Sequence, residues 1–119
     1  MKVIIAGSRS ISDHKKVSRA IKLAMSAGIK FDEVVTGGAK GVDTVAHRLA
    51  EAVDVPTSVF NADWGKHGKA AGPIRNRRMA DYADALVAVW DGESRGTRDM
   101  IRQARKTGLE IFVVVEANP

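Results

Sequence analysis

Cysteine is absent from this 119-residue sequence, which removes disulfides, thiolate metal sites and cysteine nucleophiles from consideration. A chain without thiols suits a reducing cytosol, so a cytoplasmic location is expected. Long apolar runs are missing as well. Nothing approaches the roughly 18 apolar residues of a membrane span, and the apolar start before Gly7 is far shorter than a signal-peptide core. No membrane partner is expected. Aromatic residues make up only 5% of the chain, which weakens any reading that relies on stacking many bases. The three histidines, His14, His47 and His67, lack metal-ligand spacing, and no Ser/His/Asp arrangement is identifiable. Neither a metal nor a cofactor is expected.

What is present is enough for a core. At 45% hydrophobic and 28% charged, the chain suits one compact domain over residues 1–119 and is too short for two ordinary ones. The net charge is +5 and the sequence pI about 9.8. Between Lys66 and Arg78 stand five basic residues, Lys66, Lys69, Arg75, Arg77 and Arg78, and no acidic one. A local anionic ligand explains such a cluster as well as a nucleic acid does.

The apolar pattern resolves into alternating elements. Lys2 to Ala6 is a nearly continuous apolar run ending at Gly7, as for a strand buried on both faces of a parallel sheet. Asp13 is a good N-cap, and Val17, Ala20, Ile21 and Ala24 recur at helical spacing up to a stop near Gly28. Glu33 to Thr36 reads as the second strand, Val42 to Val53 as the second helix, and Val55 to Phe60 as the third strand. Asn61 to Gly72 shows no period and reads as a long functional loop. Pro73 suits the first position of a helix running to about Ala83. Ala85 to Trp90 is a fourth buried strand, Thr97 caps a helix ending at Gly108, and Glu110 to Val115 is a fifth. Five buried strands alternating with four helices predict a three-layer α/β/α Rossmann-like domain, with a parallel five-stranded sheet in the order 3-2-1-4-5.

Ligands of such sheets bind beyond the carboxyl ends of the strands, near the point where the strand order reverses. The loops that fall there carry the candidate ligand-binding residues. The sequence V-V-T-G-G-A-K-G-V-D, with Thr36, Gly37, Gly38 and Gly41, exposes backbone N–H groups beside a helix start and reads as a phosphate loop, although it matches neither the Walker nor the G-x-G-x-x-G pattern. Packing alone is the competing explanation for its glycines. Asp43 is either a favourable charge in a first helical turn or an acceptor for a ligand hydroxyl. Gly7, Ser8 and Arg9 place backbone donors, a hydroxyl and a planar guanidinium after the first strand. Trp64 and Lys69 lie in the long loop, Arg75 in the next first turn, and Asn76 offers both donor and acceptor to a base or sugar edge. Asp91, Ser94, Gly96 and Thr97 form a second strand-to-helix anion loop.

The segments G-S-R-S, V-T-G-G-A-K-G-V-D, A-D-W-G-K-H-G-K-A-A-G-P-I-R-N-R-R-M and A-D-A-L-V-A-V-W-D-G-E-S-R-G-T together resemble the small YspA/YpsA-related branch of the SLOG superfamily, over nearly the whole chain. That superfamily also holds the LOG-type phosphoribohydrolases and the DNA-processing protein DprA. The resemblance implies a Rossmann-like domain that binds a nucleotide or nucleotide derivative, found in bacteria and phages, in a sensing or processing role. Relatives often dimerise, so a homodimer or higher homo-oligomer is a further expectation.

The LOG-type pattern sets Arg75 beside its catalytic arginine and D-G-E-S-R-G-T-R-D-M beside its P-G-G-x-G-T-x-x-E. The glutamate of that pattern falls here on Met100, with Asp99 one place earlier. Arg75 and Asp99 are therefore the catalytic candidates if the chain cleaves the N-glycosidic bond of a nucleoside monophosphate. Binding without turnover is the first expectation. A DprA-like single-stranded DNA binder, using Lys66, Lys69, Arg75 and Arg78 with Trp64, is the third.

Overall fold

The computed structural model describes residues 1–116. The elements in chain order are β1 (Lys2–Gly7), α1 (His14–Ser26), β2 (Glu33–Thr36), α2 (Val42–Ala52), β3 (Thr57–Val59), α3 (Trp64–His67), α4 (Ala71–Tyr82), β4 (Ala85–Trp90), α5 (Arg95–Thr107) and β5 (Glu110–Val115). All strand pairings are parallel, in the order β3-β2-β1-β4-β5. This is the sheet that the apolar pattern predicts.

The central strand shows why that pattern is continuous. Successive side chains of a strand leave on opposite faces. Val3 and Ile5 pack with α1 and α2 residues such as Val17, Ala20, Val42 and Ala46, whereas Ile4 and Ala6 pack with Met79, Ala80, Met100 and Ala104 from α4 and α5. Burial on both sides from Val3 to Ala6 leaves no position there for a polar residue. The chain runs from β1 out to β3 and returns to β4 on the other flank of β1, so the strand order reverses between β1 and β4. Their carboxyl ends are joined there by the Ser8 N–H donating to the Val89 carbonyl at 3.1 Å and the Asp91 N–H donating to Ser8 Oγ at 3.0 Å.

Several expectations are corrected. The strands β3 and β5 are not buried throughout: they are the two sheet edges, and Val59, Val113 and Val115 are exposed. The third strand is shorter than Val55 to Phe60. The stretch Asn61 to Gly72 is not an irregular loop, because Asp63 Oδ1 accepts the Lys66 N–H at 3.0 Å and starts the short α3. A four-residue helix is too brief to leave a period in the sequence. Pro73 is the third residue of α4, still within the turn whose N–H groups have no intrahelical acceptor. Ser94, not Thr97, is the N-cap residue of α5. Among the described residues no helix is long and apolar enough to cross a membrane.

Candidate functional site

A cleft of about 560 Å³ opens over the reversal point between β1 and β4. Twelve of the anticipated ligand-binding residues line it: Gly7, Ser8, Arg9, Asp43, Trp64, Lys69, Arg75, Asn76, Asp91, Ser94, Gly96 and Thr97, together with Asp99. Thr36, Gly37, Gly38 and Gly41 do not.

Those four residues shape the wall from behind. Asp43, in the first turn of α2, reaches back and accepts the N–H groups of Gly37 at 3.0 Å and Ala39 at 3.4 Å on the same oxygen, Oδ2. The loop that reads as a phosphate cradle thus spends two of its donors on its own helix. The Gly37 carbonyl accepts from Arg75 Nη1 at 2.6 Å, and a Cβ on Gly37 would stand 2.4 Å from that nitrogen. Gly41, at φ +79°, lies so close under the first loop that a Cβ would meet the Ser8 and Arg9 carbonyls at 2.6 Å. Gly38 turns toward Asn61, and Thr36 is buried.

Asp43 is nearly buried, and that desolvation pushes its carboxyl up to about 6, against the opposing pull of the Ala39 and Gly37 N–H groups and of Arg75 and Arg9. Both of its hydrogen bonds end on Oδ2, which leaves Oδ1 for a molecule in the cleft. Burial lowers the pKa of Arg75 and the Asp43 charge raises it. The Arg75 guanidinium is held by the Gly37 carbonyl and, through Nε, by Asn76 Oδ1 at 3.0 Å.

The far wall is the start of α5. Asp91 Oδ1 accepts the N–H groups of Glu93 and Ser94, both at 2.8 Å, and these bonds, Ser94 first, hold its carboxyl below the usual range. The turn they make delivers the chain to the helix with no side chain capping it: Ser94 Oγ lies 3.3 Å from Thr97 Oγ1 instead. The N–H groups of the first turn have no carbonyl partner within the helix and carry its positive dipole end. The turn faces open space at Gly96, where a Cβ would meet nothing within 4 Å.

Asn76 is buried and fully engaged, with Nδ2 donating to the Gly96 carbonyl at 3.2 Å and to Asp99 Oδ2 at 3.0 Å. It ties α4 to α5, and its Oδ1 accepts from Arg75 Nε. Asp99 is tied as well, by Asn76 on Oδ2 and by Arg102 on Oδ1 at 2.7 Å. Arg95, Met79 and Met100 also line the cleft and escape the sequence reading. Arg95 stands between Ser94 and Gly96 in the anion loop with no period to single it out, and the two methionines fit the apolar stripes of their helices as well as they fit a cleft floor. Among the described residues no cluster of His, Asp and Glu is arranged to hold a metal ion.

Comparison with known proteins follows the same lines. The Gene 61 protein of Mycobacterium phage D29 is 37% identical over 117 residues, covering 93% of this chain and 94% of that protein. An uncharacterized SPbeta prophage-derived protein, YoqJ of Bacillus subtilis, is 42% identical over 45 residues, or 38% of this chain and 26% of that one. Among solved structures, DNA processing protein A (DprA) from Streptococcus pneumoniae superposes with a TM-score of 0.74 at 22% identity, over 98% of this chain and 50% of its own. The chain thus spans half of DprA, and the likeness is one of fold. The model of the YspA, cpYpsA-related SLOG family matches residues 1–67. With that match and the phage relative alike from end to end, the chain belongs to the YspA, cpYpsA-related SLOG family.

Proposed function

We propose that this chain binds a nucleotide or nucleotide-derived small molecule in the cleft over β1 and β4. The observation that carries this reading is the pairing, in one cavity, of an uncapped helix start with an apolar floor. The first turn of α5, flanked by Arg9, Lys69, Arg75 and Arg95, suits a phosphate. Met79 and Met100 below, and the half-exposed indole of Trp64 at the rim, suit a base. Asp43 Oδ1 suits a sugar hydroxyl. A volume of about 560 Å³ falls among small-molecule sites, which run from about 300 to 1,000 Å³.

The test is Gly96→Asp, which places a carboxylate at the start of α5 where the structure has room for it. Titration calorimetry with nucleoside monophosphates, ADP-ribose and cyclic dinucleotides is expected to find a ligand for the wild type and a loss of about 100-fold or more in the variant. Equal binding by both proteins, or no ligand for the wild type, would sink the reading.

Hydrolysis of a bound nucleoside monophosphate is the second reading, favoured by one observation: Asp43 is a cleft carboxylate poised near neutral pH with an oxygen to spare. Asp99, whose two oxygens are occupied, is the poorer candidate. Release of free base that disappears in Asp43→Asn is the expected sign of turnover, and its absence at high protein concentration leaves binding alone.

A further inference from the structure

Behind Arg75 lies a second cavity that the cleft reading leaves unused. It measures about 180 Å³ and sits between the short α3 and the first turns of α4, with Lys66, His67, Arg75 and Arg78 among its lining residues. The local sequence builds it. The Asp63 cap starts α3, whose Lys66 and His67 line the cavity together with Arg75 and Arg78 of α4.

Three properties decide what it takes. The first is charge: Lys66, Arg75 and Arg78 are cationic, and Asp63 is the single acidic residue lining it among the described residues, with Oδ1 already committed to the Lys66 N–H. Arg78 has no carboxylate partner among the described residues. Its guanidinium is steadied by the Phe60 ring, 5.7 Å from the centroid, which leaves its donors available. The second is size. A space of about 180 Å³ is below the range for a whole small-molecule ligand and large enough for a phosphoryl group. The third is continuity: Arg75 lines both this cavity and the main cleft, and its guanidinium is fixed by Gly37 and Asn76 between them.

We propose that the side cavity is a second phosphate subsite, and that the ligand of the cleft is a nucleotide with an additional phosphoryl group reaching past Arg75, as in a nucleoside diphosphate, a nucleoside bisphosphate or a dinucleotide. This rests on the nucleotide reading of the cleft.

Adenosine 5′-monophosphate, adenosine 5′-diphosphate and adenosine 3′,5′-bisphosphate, with the matching guanosine, cytidine and uridine series, are the probes, titrated by calorimetry at physiological salt. In the wild type one of the doubly phosphorylated forms is expected to bind about tenfold or more tighter than its monophosphate, the gain of one charge-assisted contact. Arg78→Ala and Lys66→Ala, both at exposed positions, are expected to erase that gain and leave monophosphate affinity unchanged. A monophosphate that binds with no gain from the second phosphoryl group, or a gain that survives in both variants, overturns the subsite alone. Failure of every monophosphate and every doubly phosphorylated form to bind overturns the cleft reading and the subsite together.

Discussion

Asp43 carries the most chemistry of any single residue in this fold. Its carboxyl titrates near 6 in the native state against 3.8 in the unfolded chain, so between those values the folded protein keeps a proton that the unfolded one has released. Stability from this group is therefore complete below about pH 4 and is lost as the pH rises through about 6, by up to roughly 3 kcal/mol. Asp91 works in the opposite sense: its lowered pKa favours the fold above the ordinary carboxylate range and is lost only in stronger acid. Urea melts from pH 4 to pH 7 should show the Asp43 decline in the wild type and not in Asp43→Asn, whose side-chain oxygen still accepts from Gly37 and Ala39. Equal slopes in the two proteins would contradict the assignment. Neither the burial of Asp43 nor the pressure of Arg75 on Gly37 is legible in the sequence. A glycine announces a permissive backbone but not which distant side chain lies against it, so Thr36 to Gly41 reads as a cradle for phosphate when Gly37 and Ala39 bind a carboxylate and Gly41 makes room for a neighbouring loop.

Elements are more legible where local chemistry marks their ends. Asp13 caps α1 through the Lys15 N–H at 2.8 Å, and Gly108 closes α5 in the left-handed conformation, φ +83°. Both stand where the sequence puts them. The start of α5 does not, because the turn made by Asp91 brings the chain into helix two residues before Thr97, and that turn depends on side-chain bonds invisible to helical periodicity. The joint between α4 and α5 is also a matter of reach across 20 and 23 positions, from Asn76 to Gly96 and Asp99. Asn76→Ala removes three hydrogen bonds and leaves Asp99 Oδ2 without its donor, at an expected cost of about 2–4 kcal/mol in denaturant unfolding. Ligand affinity should fall with it, since the same joint sets the width of the cleft. A change below about 0.5 kcal/mol would show that α4 and α5 are held by packing alone.

At the scale of the whole molecule, strand order was readable because burial on both faces, glycine-rich turns and right-handed crossovers leave few ways to arrange five parallel strands. Which strands form the edges follows from that order, yet the apolar composition of β5 hides it. Glu110 to Val115 looks as buried as β1 in sequence and is half-exposed in the fold.

The bond from Asp91 to Ser8 spans 83 positions, and the cleft depends on other closures between distant residues, Arg75 to Gly37 and Asn76 to Asp99 among them. Such contacts close late, after the entropy of a long loop has been surrendered. A chain leaving the ribosome has no cleft until α5 has emerged. A ligand of the cleft is therefore expected to leave the refolding rate in stopped-flow experiments unchanged and to slow unfolding, because it meets its site only on the native side of the barrier. Occupancy of the cleft then reports that folding has brought the loop after β1 and the start of α5 together.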